Sequence, residues 1–178
     1  MAIVIADAGP LIAFAKINQL NLLHQLFSKV SITESIKTEV LASQSNDARL
    51  IQAEINQGWL QCVADPELKL VSSRSLGLGE KTAIEFALQS QEDVLLIMDD
   101  LLARKKALRY QLNIVGTAML IYSAENKQLI NNADDLIEEL RLKNYRISKQ
   151  VITLVKAQLC GSRKRGLKLL DELDTLGL

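Results

Sequence analysis

Ala2-Ile3-Val4-Ile5-Ala6-Asp7 decides the fold class of this chain. Its apolar residues do not alternate with polar ones, and the run ends abruptly on a carboxylate. A strand with one wet face alternates, whereas an unbroken apolar run belongs to a strand covered on both faces, as in a parallel sheet. Val94-Leu95-Leu96-Ile97-Met98 repeats the pattern and ends on Asp99-Asp100. Ligands of open α/β sheets bind beyond the carboxyl ends of such strands. Asp7 and the Asp99-Asp100 pair therefore mark a candidate site. Glu39 in Lys37-Thr38-Glu39-Val40 and Glu80 in Gly77-Leu78-Gly79-Glu80 are further acids at the boundaries of elements. Carboxylates brought together raise one another's pKa unless a cation neutralises them. Hard oxygen donors without Cys or His favour Mg²⁺ or Mn²⁺. The pattern points to metal-dependent phosphodiester chemistry.

The rest of the chain alternates strands with helices. Two short helices are expected through Leu11–Ala15 and Leu20–Phe27, a brief strand at Val30-Ser31-Ile32, and a helix capped by Thr33 that carries Glu39. A helix over 47–57 leads through Gly58 into a strand ending at Val63. Ala83, Ile84, Ala87 and Leu88 form a core-facing stripe on the helix that Glu80 opens. Asp99 or Asp100 caps a helix bearing Arg104, Asn113-Ile114-Val115 is a strand, and Gly116-Thr117 opens the helix 118–125. Helices over 132–143 and 148–160 follow. Such alternation implies right-handed crossovers and a mostly parallel sheet. Gly161 to Gly166 reads as a basic hinge, and Leu167, Leu170, Leu173 and Leu176 recur every three residues beyond it. They suit either a terminal helix packed on its own domain or an arm that docks on a second copy, giving a homodimer.

At 178 residues, 48% hydrophobic and 24% charged, the chain suits one globular domain with an appendage. It has no run long enough to span a bilayer. The first residues lack the basic start of a signal peptide, so a cytoplasmic protein is expected. Cys62 and Cys160 match no zinc or redox spacing and are expected to be buried thiols. The net charge of zero argues against a globally basic grip on duplex nucleic acid. A nuclease with paired catalytic histidines is excluded, because His24 is the single histidine; it reads as a helix-face residue. Aromatics make up only 4%, which disfavours a stacking platform for bases, and Trp59 reads as core.

Taken in order, the segments Ile5–Ile12, Ile36–Val40, Leu78–Ile84, Leu96–Arg104 and Ile114–Thr117 resemble the PIN-domain nucleases. The likeness is greatest to a prokaryotic subgroup related to the toxin ribonucleases of toxin–antitoxin pairs, and covers roughly residues 2–145. It implies a three-layer α/β/α domain over 1–147 with a C-terminal helical extension over 148–178. It also implies a Mg²⁺- or Mn²⁺-dependent endoribonuclease acting on RNA, held inactive by a small antitoxin. Carried over residue by residue, Asp7 is a primary metal ligand and catalytic residue. Glu39 is a ligand or a holder of water beside the metal. Glu80 stands where many relatives carry Asp, which puts the second metal position in doubt. Asp99 is favoured as ligand, with Asp100 a helix cap or second ligand. Thr117 is a candidate to orient water or phosphate. Arg104, one helical turn beyond Asp99-Asp100, is a candidate to pair with a site carboxylate or reach a substrate phosphate.

Each acid also has a plainer reading. Asp7 could cap a helix, Glu80 could serve a helix dipole, and Glu39 could be solvated. A non-catalytic nucleic-acid-binding or scaffold protein on the same fold is the main rival. A metal-dependent phosphatase and a flap-type DNA nuclease are others. A phosphoacceptor receiver domain is disfavoured, since no Lys closes a late strand in the expected context.

Overall fold

β1 (Ile3–Ala6) lies at the centre of the sheet, with Val4, Ile5 and Ala6 buried, as its unbroken apolar run requires. The computed structural model describes residues 2–164. β1 pairs in parallel with β2 (Val30–Thr33) on one edge and β4 (Val94–Ile97) on the other; Ile5 stands opposite Ser31 and Leu96. β3 (Leu60–Val63) extends the sheet beyond β2, and β5 (Asn113–Val115) extends it beyond β4. Every pairing is parallel and the strand order is β3-β2-β1-β4-β5. The chain builds outward from β1 to β3, then returns to add β4 and β5 on the opposite edge. That reversal opens a crevice between the carboxyl ends of β1 and β4.

Helices α1 (Ala8–Lys16), α2 (Leu20–Phe27), α3 (Glu34–Leu41) and α4 (Asn46–Gln57) fill the first half of the chain. After β3 come α5 (Leu78–Gln89), α6 (Leu101–Arg109), α7 (Thr117–Asn126), α8 (Ala133–Leu142) and α9 (Lys149–Lys164). With the all-parallel sheet they make a three-layer α/β/α domain. Phe14, Leu11 and Leu23 are completely buried against the sheet. Each such side chain contributes roughly 1.5–3 kcal/mol relative to exposure. Thr33 caps α3 through the Ile36 amide, and its hydroxyl also meets that of Thr82 at 2.8 Å, tying α5 to the end of β2.

α5 shows the expected buried stripe at Ala83, Ile84 and Ala87, with Glu85 fully buried beside it. The Glu85 carboxylate accepts from the Leu70 amide at 3.0 Å and the Val71 amide at 2.8 Å, and from the Gln89 side chain at 2.7 Å. Burial alone would push the Glu85 pKa up. These hydrogen bonds outweigh it and hold the carboxyl below its ordinary value. Glu85 thus fixes the polar connection between β3 and α5.

α9 lays Ile152, Val155 and Leu159 on the common core, a helical i, i+3, i+7 stripe. The helix continues through Gly161 to Lys164, so the first four residues of the expected hinge are helical; Arg165 and Gly166 lie outside the described residues. The leucine stripe from Leu167 to Leu176 lies outside the described residues. Cys62 and Cys160 are exposed, contrary to the expectation of buried thiols. Cys62 is on β3, the edge strand of the sheet among the described residues, and Cys160 lies off the core stripe of α9. His24 stacks on Trp59, with ring centroids 5.2 Å apart, and Trp59 is buried. Among the described residues no helix is long and apolar enough to cross a membrane.

Candidate active site

Asp7 leaves β1 at the crevice between β1 and β4, where its amide donates to the Ile97 carbonyl at 2.9 Å. It occupies the N-cap position of α1, yet its side chain makes no capping hydrogen bond. Asp7 is only 7% exposed, so its side chain is turned into the protein rather than to solvent. Burial lifts its pKa to about 7; the Ala8 amide opposes the shift, and the charges of Glu80, Glu39 and Asp99 add to it. A carboxylate so placed is short of positive charge.

α3 and α5 bring the next two acids. Gly79 is buried near the start of α5, where a Cβ would stand 2.9 Å from Ile36 Cγ1 and 3.0 Å from Glu39 Oε2. The same point is 3.8 Å from Asp7 Oδ1. The absence of a side chain at Gly79 therefore lets α3 and α5 close on each other, with Glu39 and Asp7 at the contact. Glu39 is exposed and Glu80 half-buried. Glu80 Oε2 accepts from the Gly77 amide at 2.8 Å, so this carboxylate caps its own helix while bordering the site. Its pKa is raised, first by burial and also by Asp100 and Glu39.

The paired aspartates part company. Asp100 is exposed and its Oδ1 accepts from the amides of Leu102 at 2.8 Å and Ala103 at 2.9 Å, capping α6. Asp99 turns the other way. Its Oδ1 accepts from the Thr117 amide at 2.9 Å, and its Oδ2 accepts from Thr117 Oγ1 at 2.5 Å and from the Tyr145 hydroxyl. Thr117 is fully buried, and its hydroxyl is committed to Asp99. Gly116 allows this: a Cβ there would stand 2.8 Å from Asp99 Oδ1 and 3.0 Å from an Arg104 guanidinium nitrogen. Arg104 donates to the Met98 carbonyl at 2.9 Å and, among the described residues, forms no ion pair with a site carboxylate. It therefore reaches the rim of the site while bracing the turn after β4.

Tyr145 has no place in the sequence reading of the site. It comes from the connection between α8 and α9, and its hydroxyl is 3.7 Å from where a Cβ on Gly9 would stand. Its only sequence signal is an aromatic among polar residues in a chain poor in aromatics. Burial raises its pKa, and the charge of Asp99 raises it further, so the phenol stays a donor. Beside Asp99 and Arg104 a groove of about 950 Å³ runs along β5 towards α9, with Ile114, Met119 and Leu154 on its walls.

Among the described residues no three Asp, Glu, His or Cys side chains stand close enough together to grip a metal ion as they now point. The donor chemistry nevertheless fits a hard divalent cation. Asp7 is a buried carboxyl under repulsion from three others, and no described ion pair relieves it. Asp7, Asp99 and Glu80, with Glu39 beside them, are the residues that would hold the cation; Asp100 caps α6 through Oδ1, which leaves Oδ2 uncommitted. Glu80 caps α5 through Oε2 and has Oε1 to offer.

A sequence model of the PIN domain matches residues 3–160, most of the chain and all of its strands. No curated protein matches the chain. The match, the all-parallel five-stranded sheet and the acids at the crevice agree, and the chain belongs to the PIN-domain family.

Proposed function

We propose that this chain is a Mg²⁺- or Mn²⁺-dependent endoribonuclease. PIN domains are generally nucleases that use divalent metals. The observation that carries the reading is buried Asp7 at the crevice between the carboxyl ends of β1 and β4, under repulsion from Glu39, Glu80 and Asp99. When bound, the cation would offset charge on the phosphate and lower the pKa of water at neutral pH. Without it these carboxylates would repel the RNA backbone. Asp7, buried, and Asp99, half-buried and held by Thr117, supply the directed oxygens, and Glu39 on the open side would hold the attacking water. Thr117 keeps Asp99 in its present rotamer. Arg104, at the rim, can offer its remaining N–H groups to a phosphate oxygen.

The test is cleavage of a fluorescent RNA by the metal-free protein as Mn²⁺ is added, with Asp7→Asn alongside. Cleavage that needs Mn²⁺ and is lost in D7N supports the reading; equal cleavage by D7N overturns it. A toxin role belongs to the same reading, and growth arrest on expression of the parent but not of D7N would support it. One observation favours a second reading, a nucleic-acid-binding protein without catalysis. Glu80 and Asp100 are both engaged in helix caps, and no metal-binding trio is gathered among the described residues. RNA binding with no Mn²⁺ affinity would select it.

A further inference from the structure

We propose that Tyr145 is a positioning residue that acts through Asp99, fixing this carboxylate so that only Oδ1 is left to face a divalent cation. The inference rests on the metal-site reading above and deepens it. An ionised carboxylate has about four lone-pair sites. The Thr117 amide takes one on Oδ1 at 2.9 Å, and Thr117 Oγ1 takes one on Oδ2 at 2.5 Å. The Tyr145 hydroxyl takes the second on Oδ2. Oδ1 alone keeps a free site. With Thr117 by itself Asp99 could still present Oδ2; with both donors it cannot.

The arm that delivers this hydroxyl is itself built for the purpose. Asn144 adopts the left-handed conformation, φ 60°, which turns the chain sharply after α8. The Tyr145 amide then donates to the Leu140 carbonyl at 2.9 Å, anchoring the residue to the end of that helix. From there the ring crosses to the strand end 46 residues earlier in the chain. No other described residue of the α8–α9 connection bonds to a site carboxylate. Tyr145 therefore couples the connection between α8 and α9 to a carboxylate at the end of β4.

The experiment titrates Mn²⁺ calorimetrically into metal-free parent, Y145F, D99N and the Y145F/D99N double variant, with circular dichroism as a check of folding. Y145F removes one oxygen and keeps the ring. It is expected to weaken Mn²⁺ binding about tenfold or more, as is usual when a partner of a metal-ligating carboxylate is lost. In the D99N background the same change should add less than about twofold, since the group through which it acts is gone. With RNA as substrate, kcat should fall and KM should hold. Equal or tighter Mn²⁺ binding by Y145F overturns the inference, as does an undiminished loss in the D99N background. A Y145F chain that fails to fold assigns Tyr145 to general structure and overturns it too. A parent that binds no Mn²⁺ sinks the metal-site reading and this inference with it; a parent that binds, with Y145F indifferent, sinks only this one.

Discussion

Asp7 pays for its position in stability. Its pKa stands at about 7 in the fold against an ordinary 3.8, so between those values the folded chain keeps a proton that the unfolded chain releases. Stability therefore falls as pH rises from about 4 to about 7 and stays low above that. Asp7→Asn removes this dependence. In EDTA at pH 8, D7N should resist urea better than the parent by on the order of 1–4 kcal/mol, and at pH 4 the two should nearly coincide. Added Mn²⁺ should stabilise the parent and leave D7N unmoved. A parent no less stable at pH 8 than at pH 4, relative to D7N, would contradict the buried, repelled carboxyl. The aspartate pair makes a second contrast. Asp99→Asn should abolish most cleavage, while Asp100→Asn should cost about 1 kcal/mol or less, because Asn also caps helices. Cleavage assays with the opposite ranking would move the ligand role to Asp100. The sequence left this pair ambiguous, because the two side chains differ only in which way the backbone turns them at the end of β4.

At the scale of elements, Glu85 offers the clearest test. Its carboxylate holds the amides of Leu70 and Val71, and its pKa lies below the ordinary 4.5. A lowered folded pKa contributes stability that is present above 4.5 and lost as pH falls through the folded value. Glu85→Gln should cost about 1–3 kcal/mol at pH 7, since one amide loses its acceptor and the new NH₂ faces other donors. The gap should narrow below pH 4.5 as the parent's carboxyl protonates. Denaturation at two pH values checks it, and a gap that widens in acid would refute the assignment. Strand identities were legible because β1 and β4 are unbroken apolar runs, and helix faces were legible from their period. The strand order was not, because it depends on which edge each crossover reaches. Nor was Glu85: a charged residue next to a core stripe reads as solvated until the connection it holds is in place. Cys62 misleads for a related reason, since thiols favour interiors and only the sheet order reveals that β3 is an edge. Tyr145 stayed hidden because its contact is between distant parts of the chain.

For the whole molecule, the root of α9 decides what the end of the chain contributes. Ile152, Val155 and Leu159 root that helix in the core, so a chain ending at Lys164 is expected to keep its fold and its Mn²⁺ affinity. If the apolar stripe of Leu167, Leu170, Leu173 and Leu176 joins two copies, light scattering should find a dimer for the full chain and a monomer for the shortened one. The same oligomeric state in both would count against the dimer. The strand order has a consequence for how the molecule comes to exist. Asp7 and Glu39 are made first, while Asp99, Thr117 and Tyr145 leave the ribosome much later, on the opposite side of β1. A polypeptide interrupted anywhere before Val94 contains one bank of the crevice and no other. An unfinished copy would therefore lack the second bank, and the acids of the two banks could face each other only after β4 had been made and paired beside β1.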